Sequence, residues 1–169
     1  MLKVFLVEDE TVIREGLRDR IPWEQYGYRF VGEAADGEMA LPLIRKTKPD
    51  VLITDIKMPF MDGLSLSRIV REELPRTKII IISGYDDFEY AREAISIGVD
   101  QYLLKPVTRM NLRKVLQELK EKIEQDAEQE DYQTMLQNEM HEYEQFSRRI
   151  FFEKVLEGKM SVKEIYDEA

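Results

Sequence analysis

Four short apolar runs in this sequence each end in polar side chains that could take part in metal or phosphoryl chemistry. Carboxylates supply the oxygen ligands that Mg²⁺ prefers, while a hydroxyl and a lysine can hold phosphoryl oxygens. If the runs are strands of one parallel sheet, their ends meet at one edge. The side chains are Glu8 and Asp9 after the first run, Asp55 after the second, Ser83 after the third and Lys105 after the fourth. The set predicts a site that holds a divalent cation beside a phosphoryl group.

Asp55 is the predicted phosphoryl acceptor, because it ends an apolar run and precedes a sharp turn. An aspartate can attack phosphorus only if the negative charges on both reactants are offset. We expect Asp9 and Asp55 to bind Mg²⁺ directly, and Glu8 to bind it directly or through water. The backbone carbonyl of Lys57 is the expected further ligand. Without a cation, the clustered acids raise at least one pKa by mutual repulsion, so the site is suited to a metal.

Each of these residues has an ordinary structural explanation when it is considered alone. An acidic pair after a strand is often a solvated loop, and an aspartate at a strand end is often a turn residue or a helix N-cap. A lone serine commonly forms a turn, and a lone lysine is commonly a surface charge. The prediction therefore depends on their joint appearance at four strand ends of one chain.

Short β-branched runs alternate with helical patterns from residue 3 to about residue 120. The predicted strands are Lys3–Val7, Arg29–Ala34, Val51–Thr54, Lys78–Ile82 and Gln101–Leu104. The predicted helices are Val12–Arg20, Gly37–Lys46, Leu64–Leu74, Phe88–Ile97 and Met110–Lys120. Strongly apolar strands separated by helices are typical of a parallel sheet with both faces covered. We therefore predict an α/β fold with a doubly wound, five-stranded parallel sheet that binds ligands beyond the carboxyl ends of its strands.

Residues 1–120 resemble a response-regulator receiver domain of two-component signalling, because each signature position of that family carries a matching residue. The matching residues are the acidic pair Glu8-Asp9, the phosphoacceptor Asp55, the switch hydroxyl Ser83, the switch aromatic Tyr102 and the pair Lys105-Pro106. The resemblance implies a flavodoxin-like strand order of 2-1-3-4-5, Mg²⁺ as cofactor, and a sensor histidine kinase as the phosphoryl donor. It also implies a cis bond before Pro106. Glu8 departs from the family, which more often has Asp at this position.

Finer similarity points to regulators of the YesN type, which carry an AraC-type helix-turn-helix domain after a variable middle region. The similar segments are residues 83–91, Ile21-Pro22-Trp23, Met58-Pro59 and Met61-Asp62-Gly63. Residues 148–158 resemble the start of that middle region. We expect residues 121–169 to be an acidic helical linker that leads into it. The DNA-binding domain is expected to be absent, so the chain is interpreted as a fragment of a larger transcriptional regulator.

The acidity of the chain is concentrated in its last third. Residues 1–120 hold 19 Lys and Arg against 20 Asp and Glu, whereas residues 121–169 hold 6 against 14. A segment of that charge repels phosphate backbones, so DNA is expected to bind only through the missing domain.

No Pro or Gly interrupts residues 107–157, and apolar residues recur there at helical spacing. The recurring residues are Tyr132, Leu136, Met140, Tyr143, Phe146 and Ile150. The fifth predicted helix is expected to run on past the domain, with a weak acidic seam at 126–131, so that the stretch forms either one long helix or a broken helical pair. Because an isolated helix cannot bury such a stripe, we expect either a homodimer through the tail or a fold-back onto the domain.

Composition favours a cytoplasmic location. The chain has no cysteine, and its longest apolar runs are strand-sized, far short of the ~20 residues needed to span a bilayer. No signal-peptide pattern precedes the first strand, and no membrane partner is expected.

Two other functions fit the sequence less well than a phosphorylation switch. A metal-dependent phosphatase of the haloacid-dehalogenase type places its nucleophile in an Asp-x-Asp motif after the first strand. Here the candidate nucleophile Asp55 follows the third strand, and Lys57 stands where the second acid is needed. A scaffold with a vestigial site is disfavoured because the full residue set is present. We therefore expect a switch and not a turnover enzyme.

Overall fold

The computed structural model describes residues 1–84 and 88–156, with side chains described as far as Glu153. The strands are β1 Leu2–Val7, β2 Tyr28–Ala34, β3 Val51–Asp55, β4 Lys78–Ser83 and β5 Gln101–Leu104. The α-helices are α1 Thr11–Arg20, α2 Gly37–Thr47, α3 Gly63–Glu73, α4 Phe88–Ile97 and α5 Arg109–Leu156. Two parts of the YesN-like segments lie outside the described residues: residues 85–87, and residues 157 and 158 at the start of the expected middle region.

The five strands form one parallel sheet in the order β2-β1-β3-β4-β5, which confirms the predicted fold and strand order. The register aligns the strand ends at one edge. Val7 pairs with Thr54, Asp55 with Ile82, and Ser83 with Leu104. Glu8 and Lys105, each one residue beyond its strand, therefore extend from the same edge as Asp55.

Burial of the central strands explains why their sequences are continuously apolar instead of alternating. All five residues of β3 are buried, as are all residues of β4 after Lys78. A strand in the middle of a sheet covered by helices contacts apolar neighbours on both faces. Each isoleucine of the run 79–82 is at most 1% exposed. Burying such a side chain stabilises the fold by roughly 1.5–3 kcal/mol before the entropy of ordering it is subtracted.

Helix α5 is a single helix of 48 residues, without a break at the acidic seam. The chain divides between Lys120 and Glu121 into two compact units. No helix breaker occurs in the seam, and its Gln, Asp and Glu side chains are compatible with an exposed helix surface. Among the described residues, no helix combines the length and the apolar character needed to cross a bilayer.

An aromatic turn before β2 contacts the first turns of α5. A 3₁₀ helix covers residues 23–26, and Trp23 within it is buried, with its indole N–H donating to the carbonyl of Leu17 at 3.1 Å. The hydroxyl of the fully buried Tyr28 donates to the carbonyl of Leu116 at 2.6 Å. Arg113 places its guanidinium 5.7 Å from the ring centroid of Tyr26. The turn thus links β2 to α5.

The first residue of α3 lies against the end of β3, where only glycine fits. A Cβ on Gly63 would lie 1.8 Å from the carbonyl oxygen of Asp55. The amide of Gly63 donates to the carbonyl of Ile56 at 2.7 Å, which closes the loop between β3 and α3. Asp62 caps the helix by accepting from the amide of Ser65 at 2.7 Å. The loop after Asp55 is therefore held tightly by backbone contacts.

We predict that Gly63→Ala lowers the free energy of unfolding by at least about 3 kcal/mol, because the new methyl group overlaps a backbone oxygen that cannot move alone. Gly16→Ala in α1 is the matched control, since a Cβ there meets no atom within 4 Å. That variant should be stabilised by roughly 0.5–1 kcal/mol. Urea unfolding of both variants measures the difference, and equal stabilities would contradict the steric argument.

Candidate functional site

Three carboxylates meet at the carboxyl edge of the sheet. Glu8 follows β1, Asp55 ends β3, and both are buried, whereas Asp9 is more exposed. One ligand atom from each lies within 4.8 Å of the others. The Oδ1 atom of Asp55 accepts a hydrogen bond of 2.8 Å from the amide of Ile56, which fixes the orientation of its carboxylate. The predicted acidic group is thus assembled as the strand ends implied.

Lys105 supplies the positive charge that balances these acids. Its Nζ lies 2.9 Å from Oδ2 of Asp55 and 3.4 Å from both carboxylate oxygens of Glu8. Burial acts to lower the pKa of Lys105, but the hydrogen bond and charge of Asp55, together with Glu8, outweigh it and raise that pKa. The lysine therefore stays protonated beside the acids. The peptide bond between Lys105 and Pro106 is cis, as the family resemblance implied.

Burial and repulsion act on Glu8 most strongly. Burial of the carboxyl, followed by the charge of Asp55, raises the pKa of Glu8 to about 7 against the opposing effect of Lys105. Lys105 thus only partly offsets the combined effect of burial and of the Asp55 charge on Glu8. The donor set fits a hard divalent cation, because carboxylate oxygens from Glu8, Asp9 and Asp55 converge. A bound cation would also favour the ionised form of Glu8, whose pKa is raised.

The two predicted switch residues lie on β4 and β5, the two strands that follow β3 in the sheet. Ser83 ends β4 and is fully buried, and its carbonyl accepts from the amide of Lys105 at 2.8 Å. Tyr102 in β5 is half-buried and packs against the main hydrophobic core. Lys57 directs its ammonium to within 5.6 Å of the ring centroid of Tyr90 in α4. The assignment of the Lys57 carbonyl as a metal ligand stays a prediction.

Two residues that shape the site were missed from the sequence. Gly63 permits the close approach of α3 to the carbonyl of Asp55. Arg14 in α1 donates from Nη1 to the carbonyl of Glu8 at 2.7 Å. The Asp62-Gly63 pair was a usable signal, since aspartate is a preferred helix N-cap and glycine permits close approach of another backbone. Nothing in the spacing of Arg14 indicated its backbone contact.

Fold and site together define a doubly wound α/β domain with an acidic cluster and a lysine at the carboxyl edge of its sheet. Residues 4–117 match the response regulator receiver domain. The chain belongs to this family, the receiver domains of response regulators in two-component systems.

Named relatives agree with this assignment. A transcriptional regulatory protein of Bacillus subtilis named YesN, itself described as uncharacterized, is 34% identical over 94% of this chain and 43% of its own length. The transcriptional regulatory protein HptR of Staphylococcus aureus is 43% identical over 69% of this chain and 45% of its own length. These matches confirm the similarity to YesN-type regulators. The chain spans less than half the length of these curated relatives.

A solved structure gives the same result at the level of the fold. The REC domain of AraT, a response regulator from Geobacillus stearothermophilus, has a TM-score of 0.70 and 48% sequence identity, covering 75% of this chain and 98% of that one.

We predict that Glu8→Gln stabilises the metal-free protein more at pH 8 than at pH 5. The folded-state pKa of Glu8 is raised to about 7, so the folded state binds more protons than the unfolded state above pH 4.5. Stability therefore falls as pH rises through this window, and the amide removes that loss. The gain should be roughly 1–3 kcal/mol at pH 8. Urea unfolding in a chelator measures it.

Glu15→Gln, a change of an exposed carboxylate in α1, is the control and should alter stability by no more than about 0.5 kcal/mol. A gain for Glu8→Gln that is the same at both pH values would show that Glu8 ionises normally in the folded protein.

Proposed function

We propose that Asp55 accepts a phosphoryl group from a sensor histidine kinase in a Mg²⁺-dependent reaction in the cytoplasm. The observation that carries this proposal is the contact of 2.9 Å between Lys105 and an Asp55 carboxylate that also lies within a cluster of three acids. Family membership supports it, because receiver domains of response regulators receive phosphoryl groups from sensor kinases.

The residues of the site have distinct parts in the proposed transfer. A carboxylate oxygen of Asp55 forms the new bond to phosphorus, and the bond from phosphorus to the donor breaks with its electron pair leaving on the donor. Lys105 offsets charge on a phosphoryl oxygen, and the Ser83 hydroxyl hydrogen-bonds another. Glu8, Asp9 and Asp55, with the carbonyl of Lys57, would hold Mg²⁺. The cation supplies charge neutralisation that a single lysine cannot.

Phosphorylation then acts as a conformational switch. A phosphoryl group on Asp55 draws the Ser83 hydroxyl toward it, and Tyr102 turns inward to fill the space that this leaves. Both residues end or lie within the adjacent strands β4 and β5, so the change alters the surface formed by α4 and β5. In the longer regulator, this surface controls an AraC-type DNA-binding domain and thereby transcription.

The domain works as a switch and not as a turnover enzyme in this proposal. The position two residues after Asp55 is Lys57, whose ammonium lies over the ring of Tyr90, so no carboxylic acid is available there for general acid–base catalysis. Sustained hydrolysis of an aryl phosphate under steady-state conditions would contradict this part of the proposal.

We predict that a small phosphodonor such as acetyl phosphate, with Mg²⁺, adds one phosphoryl group to the protein and that Asp55→Asn abolishes the addition. The amide oxygen of asparagine is too weak a nucleophile to attack phosphorus. Intact mass spectrometry measures the gain. Asp19→Asn, which changes an exposed aspartate in α1, is the control and should label like the unsubstituted protein. Full labelling of Asp55→Asn would overturn the assignment of the acceptor.

We also propose that the helical tail, which begins at Glu121, pairs two copies of the chain. Residues beyond Glu121 expose several large apolar side chains on a helix that has an acidic surface. The exposed residues include Tyr132 at 58%, Met140 at 64% and Tyr143 at 71%. An isolated helix gains little from such residues, whereas a second copy covers them. Paired chains would set the spacing of two DNA-binding domains on two half-sites.

We predict that the 169-residue chain is a dimer by light scattering and that a chain ending at residue 120 is a monomer. Higher salt should strengthen pairing, because it screens the repulsion between acidic segments 126–131 of the two copies. If both chains are monomers at every concentration and salt tested, the fold-back alternative replaces the dimer.

A further inference from the structure

Arg14 is a second basic residue near the acidic pair Glu8-Asp9, and it binds the backbone of that pair. Its Nη1 donates a hydrogen bond of 2.7 Å to the carbonyl oxygen of Glu8. The side chain of Arg14 is only 17% exposed, so water competes weakly for this contact. The carbonyl belongs to the planar peptide unit that joins Glu8 to Asp9. Arg14 therefore holds the unit from which both carboxylates project.

Strand β2 binds the backbone N–H of Glu8, on the other side of the same residue. The amide of Glu8 donates to the carbonyl of Ala34 at 3.1 Å. Both backbone polar groups of Glu8 are thus occupied, one by β2 and the other by Arg14. The Glu8 amide lies in the preceding peptide unit, so the two bonds hold the peptide units on both sides of the Glu8 Cα. Rotation of the Glu8–Asp9 unit would break the bond from Arg14 and leave its partly buried carbonyl without that donor.

Glu33 in β2 keeps Arg14 in place by charge. Its Oε2 lies 3.9 Å from Nε of Arg14, and its Oε1 accepts from Nη1 of Arg18 at 2.6 Å. Among the described residues, the buried Oε2 of Glu33 accepts no hydrogen bond. Glu33 therefore attracts the guanidinium electrostatically while the Nη1 donor remains directed at the Glu8 carbonyl.

We infer that Arg14 is a positioning residue for the cation site: it fixes the Glu8–Asp9 peptide so that both carboxylates converge on Asp55. It acts through the backbone, without touching the cation or the phosphoryl group. The inference rests on the proposed Mg²⁺ site. Residues that orient metal ligands typically contribute ten- to a hundredfold to metal affinity.

The direction in which Mg²⁺ affinity changes when Arg14 is replaced distinguishes a positioning role from a purely electrostatic one. Removal of a positive charge near a cation site should by itself strengthen cation binding. Loss of a positioning residue should weaken binding, because the ligands then sample orientations that do not converge. Arg18 provides the baseline, since it pairs with the same Glu33 and also with the neighbouring Asp19.

Titration calorimetry with MgCl₂ and no phosphodonor tests the inference directly. We expect Arg14→Gln to raise the Kd for Mg²⁺ roughly tenfold. Arg18→Gln should leave the Kd within about twofold of the unsubstituted protein or slightly lower it. Arg14→Met keeps the aliphatic stem without the donor and should behave like Arg14→Gln, so it decides the matter if the glutamine variant does not fold.

Binding by the Arg14 variants that is as tight as in the unsubstituted protein, or tighter, would overturn the positioning role. Equal weakening by Arg18→Gln would also overturn it, because the effect would then come from Glu33 or from general charge. Absence of Mg²⁺ binding in the unsubstituted protein is a separate result, which contradicts the proposed function and this inference with it.

Discussion

The ion pair between Lys105 and the buried carboxylates of Asp55 and Glu8 is the interaction on which the site depends. The sheet behind it is apolar, so water does little to stabilise these charges, and each must be stabilised by its neighbours. One ammonium group faces two buried carboxylates, and burial, followed by the charge of Asp55, raises the pKa of Glu8 in spite of Lys105. A divalent cation held by Glu8, Asp9 and Asp55 would add positive charge at this point.

The strand order explains why a few residues at strand ends are enough to form the site. The order β2-β1-β3-β4-β5 places β1 and β3 side by side at the point where the connections reverse direction. The carboxyl ends of these two strands open toward the same crevice, and β4 and β5 follow on one side. Four strand ends thus supply the acids, hydroxyl and lysine, while the helices contribute support through Gly63 and Arg14.

Much of the fold and of the site was predictable from the sequence, for a physical reason. Buried central strands are continuous runs such as Ile79–Ile82, and polar residues that follow such runs are conspicuous. The prediction was less accurate at element boundaries, since β3 includes Asp55, which was placed one residue beyond it. The continuous α5 is the first of the two arrangements predicted for residues 107–157. Contacts made by the backbone were not predictable. The close approach at Gly63 and the bond from Arg14 to the Glu8 carbonyl depend on three-dimensional packing that has no residue pattern of its own.

The bond from the Tyr28 hydroxyl to the Leu116 carbonyl has a mechanical consequence for α5. Tyr28 is fully buried at the start of β2, and the guanidinium of Arg113 lies over the neighbouring ring of Tyr26. These contacts fix both the axial position and the rotation of the first turns of the helix against the sheet. A shift by even one residue rise of about 1.5 Å would break the hydrogen bond. The start of α5 is therefore an anchored end, and a rearrangement of the neighbouring β5 can reach it as bending but not as sliding along the helix axis or rotation about it.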